Sequence, residues 1–173
     1  MRIVAGTHKG RKIKPPNNLN VRPTTDRAKE ALLNIINNRY LFEKKTMLDL
    51  FSGTGNISLE FASRGVENVV AVDHNSKCIE FITTTAKEFG FDISTVISDG
   101  FKYAQNCKKQ FDFIFIDPPY NYNYYQEIKE MIIKKDLVKK NGLLIIEHNK
   151  DTVFGDDVEV RKYGAVHFSI FTF

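Results

Sequence analysis

Thr46-Met47-Leu48-Asp49-Leu50-Phe51-Ser52-Gly53-Thr54-Gly55-Asn56 reads as a buried strand running into a glycine turn, and the residues from Ile57 to Ser63 follow with helical spacing. Glycines at 53 and 55 let the backbone come close to a nucleoside-type ligand, and the helix start beyond them offers free N–H groups. A tight turn in the core would use the same two glycines. A second apolar strand, Asn68-Val69-Val70-Ala71-Val72, ends at Asp73 with His74 beside it. A carboxylate at that place can accept from both ribose hydroxyls of a nucleoside. A dinucleotide fold asks for Gly-x-Gly-x-x-Gly, but Ser58 holds the third position and the next glycine is Gly65, which argues against NAD.

The second informative stretch is Asp117-Pro118-Pro119-Tyr120, at the end of the apolar run Phe111-Asp112-Phe113-Ile114-Phe115-Ile116. An exocyclic amine on a base is a poor nucleophile because its lone pair is delocalised into the ring. The Asp117 carboxylate and the Pro118 carbonyl would each accept one N–H and leave the lone pair free, while Tyr120 stacks on the base. Pro118 and Pro119 stiffen the segment, so the acceptors are aimed before a substrate arrives. Asp-Pro-Pro after a strand is also a plain strand terminator. Asp99, with Gly100 and Phe101, follows the strand Ile93-Ser94-Thr95-Val96-Ile97; Ser-Asp-Gly in that place is either a ligand contact or a helix cap. Glycine loop, first acid, second acid and amine clamp thus fall at the carboxyl ends of successive strands, where open α/β sheets bind ligands. The pattern Asp49-x-Phe51-x-Gly53-x-Gly55 resembles motif I of S-adenosylmethionine-dependent methyltransferases. That resemblance implies the methionine part of the cofactor on the loop, its ribose on Asp73 and its adenine by Asp99, Gly100 and Phe101.

Composition permits this reading. A chain of 173 residues with 42% hydrophobic residues is one domain with enough apolar mass for a core. Cys78 and Cys107 lie far apart, so reduced thiols and no metal are expected. No stretch approaches the about 20 apolar residues of a membrane span and the opening residues lack a signal-peptide core, so a cytoplasmic protein is expected. The charge is uneven: although the whole chain is only +4, the first 45 residues carry eleven cations against Asp26, Glu30 and Glu43. Clustering of this kind is an electrostatic footprint for a phosphate backbone, or else a solvated basic surface. Arg2-Ile3-Val4-Ala5 and Arg11-Lys12-Ile13-Lys14 suggest a hairpin with a basic tip. The segment Pro15 to Arg22 is loop-like, and a helix follows over Asp26–Ile36. Arg2, His8, Lys9, Arg11, Lys12, Arg22, Thr24 and Arg27 are the candidate RNA contacts, although His8 could equally occupy the turn.

Taken together, Arg2-Ile3-Val4-Ala5-Gly6 with Lys9-Gly10-Arg11-Lys12-Ile13, Arg22-Pro23-Thr24-Thr25-Asp26-Arg27 with Lys29-Glu30, the glycine loop, Leu59-Glu60 with Ser63-Arg64-Gly65, and Asp117-Pro118-Pro119-Tyr120 resemble the RsmD family of bacterial ribosomal RNA guanine methyltransferases. The resemblance implies a Rossmann-like α/β fold: a seven-stranded, mostly parallel sheet with helices on both faces, preceded by a basic hairpin and helix. Residues 1–45 would be the RNA-docking extension and 46–173 the methyltransferase core. It also implies S-adenosylmethionine as donor and the exocyclic amine of guanine 966 in 16S ribosomal RNA as acceptor. The RNA would be presented by an assembled or assembling small subunit to a monomeric enzyme. Three positions depart from the family pattern: Ser58 for a glycine, Tyr120 for the frequent Phe and Asp73 for the frequent Glu. A DNA adenine-amine methyltransferase and a non-catalytic nucleic-acid binding module are the alternatives. Toward the C-terminus, Tyr122–Lys135 has helical spacing, Gly142–Glu147 reads as a buried strand, and Val158–Tyr163 with His167–Phe171 as a closing hairpin about Gly164, its last strand antiparallel. Asn121, Tyr122, Asn123, Tyr124 and Tyr125 form either a base-gripping loop or an ordinary helix entry.

Overall fold

The computed structural model describes residues 1–16, 19, 24–119 and 122–173. Arg22, Tyr120 and Asn121 lie outside the described residues. Seven strands form one sheet in the order β3-β2-β1-β4-β5-β7-β6. They are β1 (Thr46–Leu50), β2 (Asn68–Asp73), β3 (Ile93–Ile97), β4 (Phe111–Ile116), β5 (Val138–His148), β6 (Glu159–Tyr163) and β7 (Val166–Thr172). The first five run parallel, and β7 lies antiparallel between β5 and β6.

Alternation along the central strands sends apolar side chains to both faces of the sheet, with Asp49 in β1 and Asp112 in β4 as buried exceptions. Met47, Val69, Phe113, Phe115, Leu143 and Ile145 pack on one face with α1 (Asp26–Asn37) and α2 (Asn56–Ser63). Ala71 on that face meets Ile79 and Ile82 of α3 (Ser76–Phe89). Leu48, Leu50, Val70, Val72, Ile114, Ile116, Leu144 and Ile146 pack on the other face with α4 (Gly100–Asn106) and α5 (Tyr125–Lys134). A parallel sheet covered on both sides needs this pattern.

The opening residues pair as expected: Arg2 bridges Lys12, and the Ile3 N–H donates to the Arg11 carbonyl at 3.0 Å. The turn at the tip is docked, because the Thr7 N–H donates to the Ser63 carbonyl at 2.8 Å and the His8 N–H to the Ser63 hydroxyl at 3.1 Å. Underneath, the buried Glu60 carboxylate accepts the Val4 and Ala5 N–H groups and pairs with Lys29 and Arg64. Helix α5 starts at Tyr125 and β5 at Val138, later and earlier than the sequence pattern suggested. Among the described residues, no helix is long and apolar enough to cross a membrane.

Candidate active site

The glycine loop, Asp73, Asp99 and Asp117 sit at the carboxyl ends of the parallel strands β1, β2, β3 and β4. After β1 the chain turns sharply: Phe51, Gly53 and Gly55 all have left-handed backbones, with φ of 64°, 52° and 75°. Phe51 is not glycine, so its conformation is strained by roughly 1–3 kcal/mol. At Gly55 glycine is required twice over, since a Cβ there would also lie 2.7 Å from Ile82. The loop is tied to β2, as the Gly53 N–H donates to Asp73 Oδ2 at 2.8 Å and the Asn75 N–H to Oδ1 at 2.8 Å. Each Asp73 oxygen thus keeps a lone pair for a further donor. His74 is outside, its side chain 76% exposed and 3.6 Å from Asp73.

Asp49 does different work from the loop that follows it. It is buried, and Oδ2 accepts both the Ser58 N–H at 3.1 Å and the Ser58 hydroxyl at 2.5 Å. It therefore clamps α2 to β1. Asp99 caps α4, accepting the Lys102 N–H at 2.9 Å, and is exposed. Gly100 is forced to be glycine by Phe51, whose ring would lie 2.7 Å from a Cβ there. That ring also meets Tyr122 edge-on at 5.4 Å and walls the cleft between the β1 and β4 turns. Phe101 packs partly buried beneath it against the second core face.

Asp117 follows β4 with its N–H on the Leu50 carbonyl, Pro118 is buried, Pro119 is exposed, and the Pro119 carbonyl accepts the Tyr122 N–H at 2.9 Å. One cleft brings together Asp49, Phe51, Ser52, Gly53, Phe115 and Asp117; its continuation is lined by Thr24, Asp117, Pro118, Tyr125, Glu147 and His148. Burial raises the Asp117 carboxyl well above the ordinary range, and the charges of Glu147 and Asp49 push it further. Glu147 is pushed up to about 7 by burial, although the Thr24 hydroxyl donates to it at 2.7 Å.

Thr24 is thus a buried wall of the cleft. Its carbonyl accepts from Asn56 Nδ2 at 2.8 Å, and Asn56 Oδ1 accepts from the buried Lys29 ammonium at 2.8 Å. The other described basic residues named from the sequence stay outside: Lys9, Lys12 and Arg27 are exposed, Arg2 lies 3.7 Å from Asp26, and Arg11 lies 3.7 Å from Glu88 and over the Phe89 ring. His8 stacks on Phe89 with ring centroids 4.8 Å apart. Glu147, Asn56 and Ser52 were not singled out from the sequence; each owes its place to contacts distant along the chain.

The cleft fits an S-adenosylmethionine-like cofactor. Asp73 is hydrogen-bonded to the glycine loop through the Gly53 N–H, and the buried Ser52 hydroxyl, on a residue that lines the cleft, has no hydrogen-bond partner among the described residues. The sheet order with its antiparallel β7, the glycine turn after β1 and the acid after β2 define the class: an S-adenosylmethionine-dependent methyltransferase, with that molecule as cofactor. Within it, a family model described as "Conserved hypothetical protein 95" matches residues 1–172, and the chain belongs to that family, the RsmD family. The Bacillus subtilis protein YlbH is 30% identical over 99% of this chain and 98% of its own. The Haemophilus influenzae ribosomal RNA small subunit methyltransferase D is 30% identical over 87% of this chain and 80% of its own. A solved structure from Thermus thermophilus superposes with a TM-score of 0.86 at 25% identity, covering 98% of each chain.

Proposed function

We propose that the protein transfers a methyl group from S-adenosylmethionine to the exocyclic N2 amine of a guanine in small-subunit (16S) ribosomal RNA. The observation that carries this reading is the Asp117-Pro118-Pro119 turn, opening into the same cleft as the glycine loop. The names of relatives such as the Haemophilus protein support the choice of RNA. S-adenosylmethionine supplies an electrophilic methyl when bound. Asp73 holds the ribose, and the Gly53–Gly55 turn gives backbone room beside it. Asp117 and the Pro118 carbonyl accept the two amine N–H groups, which frees the nitrogen lone pair and orients it. The nitrogen bonds to the methyl carbon as the carbon–sulfur bond breaks with its electron pair on sulfur, and the nitrogen then gives one proton to Asp117 or to water. Tyr120 would stack on the base, and the exposed Lys9 and Lys12 would meet phosphates.

The test compares wild type with Asp117→Ala on small subunits from a strain lacking the modification. Turnover is expected to fall by at least about 1,000-fold while cofactor affinity stays within about threefold, because the lost contact is made to the acceptor. Full residual activity would remove Asp117 from the reaction.

A further inference from the structure

Glu147 belongs to β5, next to β4, and Ile146 pairs with Ile116. Glu147 and Asp117 therefore follow the last paired residues of two adjacent parallel strands. Glu147 is 9% exposed and borders the cleft together with Asp117, Pro118 and Thr24. Its Oε2 accepts the Thr24 hydroxyl at 2.7 Å, and no described residue donates to Oε1. A carboxylate buried beside a second carboxylate, with one oxygen open, costs stability that a donor-rich ligand offsets.

The bases differ at the atom next to the amine. Guanine carries a ring N1–H there, so its amine edge presents three donors in a row. Adenine and cytosine carry a ring nitrogen acceptor in that place. We propose that Glu147 Oε1 accepts the ring N1–H of the target guanine while Asp117 and the Pro118 carbonyl take its amine, which makes Glu147 the residue that selects guanine among amine-bearing bases. The assignment rests on the methyl-transfer reading above. With adenine or cytosine, a ring lone pair would face the Oε1 lone pair, and sites built for a particular hydrogen bond reject analogues that cannot make it. Thr24 acts as a positioning residue: by engaging Oε2, and being held through Asn56 and Lys29, it fixes which oxygen of Glu147 is left for the base.

The experiment uses small subunits in which the nucleotide that the wild type labels carries either guanine or 2-aminopurine. The latter keeps the amine and replaces N1–H with an acceptor. Wild type is expected to prefer guanine by at least about 100-fold in kcat/KM. Glu147→Gln, whose amide can donate to a ring nitrogen, is expected to lose at least about tenfold on guanine and to narrow the preference by at least about tenfold. Thr24→Val should narrow it less. An unchanged preference in Glu147→Gln, whether both activities fall together or neither does, would overturn the assignment. Cofactor affinity reports folding of each variant; if Glu147→Gln does not fold, Glu147→Asp, which draws the carboxylate back from the base, provides the same ratio. A wild type that labels no guanine would overturn the methyl-transfer reading, and this assignment with it, whereas guanine labelling with an insensitive ratio overturns the assignment alone.

Discussion

Asp49 shows how one residue couples the cofactor loop to stability. Its carboxyl is pushed up to about 7 by burial, with the Asp73 charge adding to this, and the two Ser58 hydrogen bonds only partly oppose it. The folded carboxyl therefore holds its proton more tightly than the unfolded one, whose pKa is about 4. Stability is lost as pH rises from about 4 to about 7 and stays lost above that. Asn at this position keeps an oxygen for Ser58 and cannot ionise. Asp49→Asn should therefore melt close to wild type at pH 4.5 and several degrees higher at pH 8, and a melting difference independent of pH would contradict this. Ser58 could be read from the sequence only as a small side chain replacing a glycine. The structure gives its hydroxyl a partner nine positions back, in the strand.

At the scale of elements, the interior strands β2 and β4 were legible because a parallel strand covered on both faces is mostly apolar, and both end where the sequence pattern ends; the edge strand β3, only partly buried, was legible from its β-branched residues. Helices α3 and α4 were not legible. The run Thr83-Thr84-Thr85 weakens the helical signal of α3, and the seven residues of α4 are too few to show a period. Asp99 could be read either as a ligand contact or as a helix cap, and the cap is what its side chain makes. The Thr24–Glu147 hydrogen bond joins residues 123 positions apart. No local pattern encodes such a contact, so Glu147 could be read only as the end of a strand. Asp117 was legible because its prolines are adjacent in sequence. The basic hairpin was legible as a hairpin, but the docking of its tip on α2 depends on Ser63 and Glu60, more than fifty positions on.

For the whole molecule, some described cations of the basic first quarter are engaged within the chain and others are free in solvent. Lys29 is buried, Arg39 pairs with Glu159 at 2.7 Å and Lys45 with Asp112 at 3.0 Å, so these three charges are engaged within the chain. Lys9 and Lys12 are exposed and make no ion pair among the described residues. Replacing Lys9, Arg11 and Lys12 with Ala should weaken RNA binding and reduce the log–log salt slope by about 2, since Arg11 is already engaged with Glu88. An unchanged slope would make these residues plain solvated surface. The most direct measurement follows labelled methyl from S-adenosylmethionine onto unmodified small subunits, naked ribosomal RNA and duplex DNA, with the product nucleoside identified by mass. The proposed chemistry predicts N2-methylguanosine from small-subunit RNA and no label in DNA. Methyladenosine, or label confined to DNA, would contradict it.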